Sequence, residues 1–511
     1  MTRRLRVGPA VCALAGWVVY GPGAWVVWAQ SENVLIIVAD DLGVDVLACY
    51  DEGSTFPPTP TIDMLCDTGV LFRNAWSNPV CSPTRATIQT GRYGFRTGVG
   101  GVVFQEQDEG LPYSETIIPE VLDLNPSLGY AHAAIGKWHL TSNPQGGADG
   151  PNLSGYSHFS GTLFNINTPP EVDYFNWPKT ENGETFDTQV YATTDNVNEA
   201  IEWINDQGDS PWFMWLAFNA PHTPFHAPPD ELHSFDLSDD SSVLMLYQAM
   251  VESMDTEVGR LFASIPQDVL ENTNIIFLGD NGTAGGVIQP PFDPDHDKGT
   301  LYEGGVNVPL IIAGPQVVTP GSESGVLVNT TDLFATALEM MGVDVEASLP
   351  PDTVLDSLSV LPLLQGQEFE PRPFAYSERF RIDGVDDNTG QTIRNQDFKL
   401  IRFSTHPEEF YDLTRDPFET TDLLPGDLDP IQQANYDELT SQLDLLTANV
   451  CEGDANSDGT VDPLDSGYVL ARFGCPVGTG DPTCDAADQN GDGAVDPLDS
   501  GFVLARFGDC R

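Results

Sequence analysis

The sequence predicts an α/β fold, and three observations predict it. Val34-Leu35-Ile36-Ile37-Val38-Ala39 is an unbroken apolar run of the kind found in strands covered on both faces, and it ends abruptly in Asp40-Asp41. Asn274 to Gly279, Trp212 to Phe218 and the shorter Tyr130 to Ile135 read the same way, each running into polar residues. The chain has 511 residues with 40% hydrophobic content, enough for a large core and more than one domain. In open α/β sheets ligands bind beyond the carboxyl ends of the strands, so these polar ends are expected to converge on one site.

At the amino end, Arg3, Arg4 and Arg6 precede a mostly apolar stretch from Val7 to Trp28, with a cleavage site after Val27-Trp28-Ala29. The expectation is a signal peptide over residues 1–29 and a secreted, periplasmic or cell-surface protein; an uncleaved anchor is the alternative. No later segment approaches the ~18 continuous apolar residues that span a bilayer. Lys plus Arg number 21 against 77 Asp plus Glu, a formal charge of −56, which disfavours nucleic acid and anionic membrane surfaces as partners. A polyanionic substrate is repelled at long range too. Salt shortens that repulsion to ~8 Å or less, so local positive groups decide binding.

Cys81-Ser82-Pro83-Thr84-Arg85, followed by Ala86 to Tyr93, is expected to form a helix that Ser82 caps, Pro83 begins and Gly91 ends. Cys81 then sits at the positive helix terminus, where free N–H groups favour a negative oxygen, and Arg85 can turn back toward it. The strand ends add Lys137 and His139 in Gly136-Lys137-Trp138-His139, His222 in Asn219-Ala220-Pro221-His222, and Asp280-Asn281-Gly282. Lys298 opens Lys298-Gly299-Thr300-Leu301-Tyr302-Glu303-Gly304-Gly305. Two nearby features stay open: His226 as pocket lining or structural residue, and Pro290 to Asp297 as substrate loop, ion site or solvated turn.

Together and in this order, these motifs resemble the type I, formylglycine-dependent sulfatases of the alkaline-phosphatase-like superfamily, across roughly residues 33–425. The resemblance implies a sheet sandwiched by helices over residues 30–370 and a smaller α+β subdomain over residues 371–446. It implies that Cys81 is converted to formylglycine by a formylglycine-generating enzyme. Asp40, Asp41, Asp280 and Asn281, with the modified Cys81, match the family's metal ligands. That all-oxygen set favours Ca²⁺, with Mg²⁺ as the alternative. Arg85, Lys137, His139, His222 and Lys298 match its catalytic groups. The departing ester oxygen gains negative charge, which calls for cations and a proton donor. His222 assisted by Lys298 is implied as that donor, and His139 as the base that releases sulfate through the second hydroxyl of the aldehyde hydrate.

Thr392 to Arg402 reads as hairpin-like strand material, and Glu409 to Glu419 resembles the closing motif of the sulfatase C-terminal subdomain. A different pattern follows over residues 447–511. Asp454, Asn456, Asp458, Thr460, Asp462 and Asp465 occupy positions 1, 3, 5, 7, 9 and 12 of a calcium loop, with Gly459 at the sharp turn. Asp488, Asn490, Asp492, Ala494, Asp496 and Asp499 repeat it around Gly493. Aspartate at position 12 departs from the EF-hand rule and resembles dockerin loops. That resemblance implies a small helical tail, two bound Ca²⁺ ions and a cohesin-like partner. Leu464, Val469, Leu470 and Phe473 are candidates for its core or a partner face. Nested pairing of Cys451 with Cys510 and of Cys475 with Cys484 is expected, while Cys49 and Cys66 either pair or are simply buried.

The function expected is hydrolysis of sulfate esters, on sulfated carbohydrates given the polysaccharide-complex type of tail. The alternatives are a phosphoric or phosphonic ester hydrolase on the same scaffold, or an inert calcium-dependent interaction protein.

Overall fold

A computed structural model describes residues 32–447, apart from 108–109, 167–170, 352 and 382–384, and a few positions between 460 and 509. The main sheet takes its first strands from β1 (Asn33–Ala39), β2 (Gly69–Trp76), β3 (Ala131–Lys137), β4 (His158–Thr162) and β5 (Trp177–Glu181). It is completed by β6 (Glu184–Thr188), β7 (Trp212–Ala217), β8 (Thr273–Gly279), β9 (Leu310–Ala313) and β10 (Ser322–Asn329). The ten strands run in the order β10-β2-β9-β8-β1-β7-β3-β4-β5-β6. At its centre β8, β1, β7 and β3 are mutually parallel, with Val38 opposite both Ala217 and Leu278. Their carboxyl ends therefore lie side by side, as the four apolar runs predict.

Each central strand is buried on both faces. Leu35 and Ile37 pack on one side against helices Pro60–Thr68, Ala192–Gln207 and Val243–Ser264. Val34, Ile36 and Val38 pack on the other against helices Cys81–Thr90, Ile118–Leu124 and Asp332–Met340. Full burial of such a side chain contributes roughly 1.5–3 kcal/mol, which is why β1 carries no polar interruption. Cys49 and Cys66, beside the first of these layers, form a disulfide.

Beyond the main sheet, β11 (Ala375–Arg379), β12 (Gly390–Arg394), β13 (Phe398–Phe403) and β14 (Glu409–Asp412) form an antiparallel sheet under the helix Pro430–Thr447. The predicted hairpin is β12 and β13. Buried charges join this sheet to the loop after Lys298: Lys399 pairs with Glu303 and Glu419, and Arg394 pairs with Glu303.

On β11, Glu378 accepts from the Phe95 N–H at 2.8 Å and from the Tyr376 hydroxyl at 3.0 Å. Burial raises its carboxyl from 4.5 to about 7. The native state thus holds a proton that the unfolded chain releases near pH 4.5. Its stabilising contribution is complete below that pH and is lost as pH rises through about 7. Glu378→Gln, whose oxygen keeps the Phe95 bond and whose amide donates to the Tyr376 oxygen, is expected to raise stability at pH 8 by up to about 3 kcal/mol and to leave pH 4 unchanged. Denaturation midpoints at the two pH values check this.

In the tail, Thr460–Val461 pairs antiparallel with Gly508–Asp509. Val469 is buried and Leu470 is 54% exposed, so these neighbours divide between core and surface. The other calcium-loop positions named above, except Thr460, Ala494 and Asp496, lie outside the described residues, as do residues 1–29, Leu464, Phe473 and the four tail cysteines. Among the described residues, no helix is long and apolar enough to cross a membrane.

Candidate active site

Cys81 opens the helix Cys81–Thr90, and that helix is buried along its whole length. One sequence expectation is corrected here: Val80, in extended conformation, is the cap residue, and Pro83 falls inside the first turn. Ser82 does not cap because its buried hydroxyl accepts from the Val103 N–H at 3.0 Å instead. Gly91 ends the helix with φ 68, as expected; a Cβ there would meet Leu355 and Phe334 at 2.8 Å.

Around Cys81, which is 1% exposed, the strand ends converge. Lys298 Nζ lies 3.7 Å from Cys81 Sγ and pairs with Asp41. Asp40 and Asp41 follow β1, and Lys137, the last residue of β3, pairs with Asp40. Arg85 donates through Nε and Nη2 to Asp280 Oδ2 at 3.0 and 2.7 Å, and through Nη1 to the Lys137 carbonyl at 2.6 Å. Asn281 Nδ2 donates to Asp41 Oδ1 at 2.8 Å, and the Asp41 N–H donates to Asp280 Oδ1 at 3.2 Å. His222 Nε2 stands 3.8 Å from Asp41 Oδ2. His139 is buried, and its N–H donates to the Leu163 carbonyl. Nine of the positions named from the sequence thus form one connected cluster with His139 beside it.

Two residues that the sequence reading did not name hold this arrangement. Asp41 has φ 69, a left-handed conformation costing roughly 1–2 kcal/mol in a residue with a Cβ, and the Tyr247 hydroxyl pins its carbonyl at 2.8 Å. The Tyr174 hydroxyl reaches the carbonyls of both Asn219 and His222, at 2.5 and 2.7 Å. Tyr174→Phe leaves those buried carbonyls without their donor and frees the His222 loop. The expected result is a kcat lower by about 10- to 100-fold with a smaller change in KM, read by steady-state kinetics. His226, bonded to the Pro224 carbonyl and the Tyr191 hydroxyl and packed on Tyr174, is structural. Pro290 to Asp297 forms turns, with Asp293 and Asp295 exposed.

The electrostatics follow from burial and charge pairing. Burial opposes ionisation of Asp40, but Lys137, His222, Arg85 and Lys298 outweigh it, and its carboxyl lies well below the usual range. Asp280 moves the other way, up to about 6, through burial and repulsion from Asp40. Burial raises the Cys81 thiol to about 12 against the pull of Lys137 and Lys298, so the thiol is protonated and a poor nucleophile. Burial, reinforced by Lys137 and Arg85, pushes His139 far down. Burial also lowers His222, with Asp41 opposing. Lys298 stays protonated because Asp41 more than offsets its burial.

Hard oxygen atoms here suit a divalent cation. Asp40 Oδ1 and Asn281 Oδ1 are buried acceptors without a hydrogen-bond partner, an arrangement that a cation satisfies. Ligand atoms of Asp40, Asp41, Cys81 and His222 lie within 4.8 Å of one another. Asp280 and Asn281 attach to that group through Arg85 and Asp41.

Known proteins share this arrangement's framework. Residues 32–343 match the sulfatase family model, and residues 295–448 match the C-terminal region of N-sulphoglucosamine sulphohydrolase. N-acetylgalactosamine-6-sulfatase of Canis lupus familiaris is 32% identical over 382 residues, covering 68% of each chain. Human arylsulfatase A is 27% identical over 460 residues, covering 78% of this chain and 84% of its own. The solved structure of Ps i-CgsB in complex with k-i-k-neocarrahexaose superposes with TM-score 0.69 and 25% identity, covering 82% of this chain and 93% of that one. BT4656 in complex with its substrate D-glucosamine-2-N,6-O-disulfate superposes with TM-score 0.64 and 21% identity, covering 82% and 98%. With the sulfatase model spanning more than half its length and its cations and carboxylates gathered at the ends of four parallel strands, the chain belongs to the sulfatase family and is a sulfuric ester hydrolase.

Proposed function

We propose that this hydrolase removes sulfate from a sulfated carbohydrate, using a formylglycine made from Cys81 and a bound Ca²⁺. The observation that carries the reading is Cys81 itself: a buried cysteine without a disulfide at a helix start, 3.7 Å from Lys298 and within 4.8 Å of the ligand atoms of Asp40, Asp41 and His222. The relatives named for N-acetylgalactosamine-6-sulfate and glucosamine disulfate chemistry support the sugar substrate.

When bound, the cation supplies Lewis-acid charge to the sulfate oxygens and to the nucleophilic hydroxyl. Asp40, Asp41, Asp280 and Asn281 would hold it. Lys298, at the site's partly exposed side, and the fully buried Lys137 and Arg85 supply fixed positive charge in a largely desolvated region, where it acts more strongly than in water on the developing negative oxygen. His222 Nδ1 lies 2.7 Å from the Thr223 carbonyl, which assigns the proton to Nδ1 and leaves Nε2 to exchange a proton with the departing sugar oxygen. Burial makes that Nε2 proton easy to release. His139, kept neutral by burial and the nearby cations, is the base for the second half of the reaction.

The tail we read as dockerin-like, with two calcium loops and a cohesin-like partner, on a protein exported through residues 1–29. The support is the duplicated aspartate spacing and the buried Val469, Ala487 and Val495. A formylglycine-generating enzyme is the partner that maturation requires.

Peptide mass spectrometry across Cys81, on protein that turns over a sulfate ester, tests the nucleophile. An aldehyde or its hydrate is expected; an unmodified thiol in fully active protein overturns the reading.

A further inference from the structure

Beside the catalytic cluster, the end of β4, residues 163–166 and the β5–β6 hairpin line a cavity of about 290 Å³. It adjoins the reaction site: Phe164, in its wall, meets the His139 ring edge-on with centroids 6.4 Å apart, and the Leu163 carbonyl accepts from the His139 N–H. Thr162, also in the wall, donates to Asn219 Oδ1 at 3.2 Å on the His222 loop. None of the catalytic side chains lines the cavity, so what fills it lies beyond the reacting sulfate.

The wall has one chemical character. Its polar side chains among the described residues are amides and hydroxyls, including Gln105, Asn143, Asn165 and Thr180, and Phe164 gives it an aromatic face. No described lining residue is charged. The one lysine of the adjoining hairpin, Lys179, points to the opposite face of β5 and is taken up by Asp195 and Glu199 at 2.8 and 2.7 Å. At the rim Glu106 accepts from Asn143 Nδ2 at 3.0 Å. A carboxylate or second sulfate entering here loses its hydration and finds amides, a ring and the Glu106 carboxylate, with no cation among the described lining residues to replace the water. Uncharged sugar hydroxyls find donors and acceptors, and the apolar face of a pyranose finds Phe164. The volume sits at the foot of the range for small-ligand pockets, about 300–1,000 Å³, which suits a single ring.

We propose that this cavity is a subsite for one neutral sugar ring, the neighbour of the ring that carries the reacting sulfate. The enzyme therefore discriminates against substrates whose neighbouring ring is sulfated or carries a carboxylate. This rests on the sulfated-carbohydrate reading above.

The test uses the full-length, formylglycine-bearing enzyme on three substrates: a sulfated monosaccharide, a disaccharide of it with a neutral neighbour, and the same disaccharide with a second sulfate on that neighbour. Assays at about 0.5 M salt screen the repulsion from the net charge. The expected kcat/KM is at least about tenfold lower for the doubly sulfated disaccharide than for the neutral one. Asn165→Lys, which sets a cation in the wall, is expected to bring that ratio close to one. Because the ratio is taken within one protein preparation, it does not depend on the fraction folded. Equal or faster turnover of the doubly sulfated disaccharide, or a ratio unmoved by Asn165→Lys, overturns the subsite while monosaccharide turnover leaves the parent reading standing. Absence of turnover on all three sugars, with an aryl sulfate still hydrolysed, overturns both.

Discussion

Cys81→Ser is expected to lower kcat on any sulfate ester by at least about a thousandfold, with a stability change below about 1 kcal/mol. Serine fits the same helix start, since Cys81 makes no disulfide and its neighbours Val80 and Ser82 keep their backbone. The loss is therefore chemical. A serine hydroxyl could attack sulfur once, with Lys298 and Lys137 in place to hold the sulfate, but its carbon bears no second hydroxyl to expel the product. Single-turnover kinetics and intact-protein mass together read this. The variant is expected to retain one sulfate per chain or to do nothing, and sustained turnover by it would sink the mechanism. Thermal melting run in parallel separates a dead nucleophile from a lost fold.

Arg85→Ala is the change with the largest expected cost in stability. The guanidinium is fully buried and joins three parts of the molecule: its own helix, Asp280 beyond β8, and the Lys137 carbonyl at the end of β3. Removing it leaves Asp280 and Asp40 facing one another with less positive charge between them, and breaking a buried pair costs about 3–5 kcal/mol. Urea denaturation reads that cost. Arg85→Lys keeps a charge but cannot make the fork to Asp280 together with the bond to the carbonyl. It is expected to fold with a smaller penalty and to lose at least about a hundredfold in kcat/KM. If Arg85→Lys matched the parent in rate, the planar fork would have no part in holding the site.

The central strands were legible because each is buried on both faces, so its sequence is almost wholly apolar, with the buried His132 of β3 an exception, and its end is marked by the first carboxylate, lysine or amide. The outer strands were not. β10 begins Ser322-Glu323-Ser324 and β2 carries Arg73-Asn74, and such segments take strand form from the neighbour they pair with. The residues of the buried charged cluster were legible through motif order, whereas Tyr174 and Tyr247 were not. Each acts through a hydroxyl whose partner lies 45 or 206 positions away, and no local pattern encodes that. Ser82 misled for a related reason: a serine before a proline has the right chemistry for a cap, and a tertiary contact to Val103 claimed its oxygen. Whether Cys49 and Cys66 bond depended on a Cα separation of 6.6 Å that only the packed layers supply.

The place of β1 between β7 and β8 also sets a timetable. Its left and right neighbours are residues 212–217 and 273–279, so the first core strand to leave the ribosome has no sheet to join until much of the chain has followed. From Cys81 to Gly279 is about 200 residues, or about 10–40 s at a synthesis rate of ~5–20 residues per second. For that interval the Cys81 thiol sits on an unfinished polypeptide, open to solvent and to any reagent in it. Once β8 docks beside β1, the thiol is buried at the carboxyl ends of the central strands, and late arrivals find it only by waiting for the domain to open.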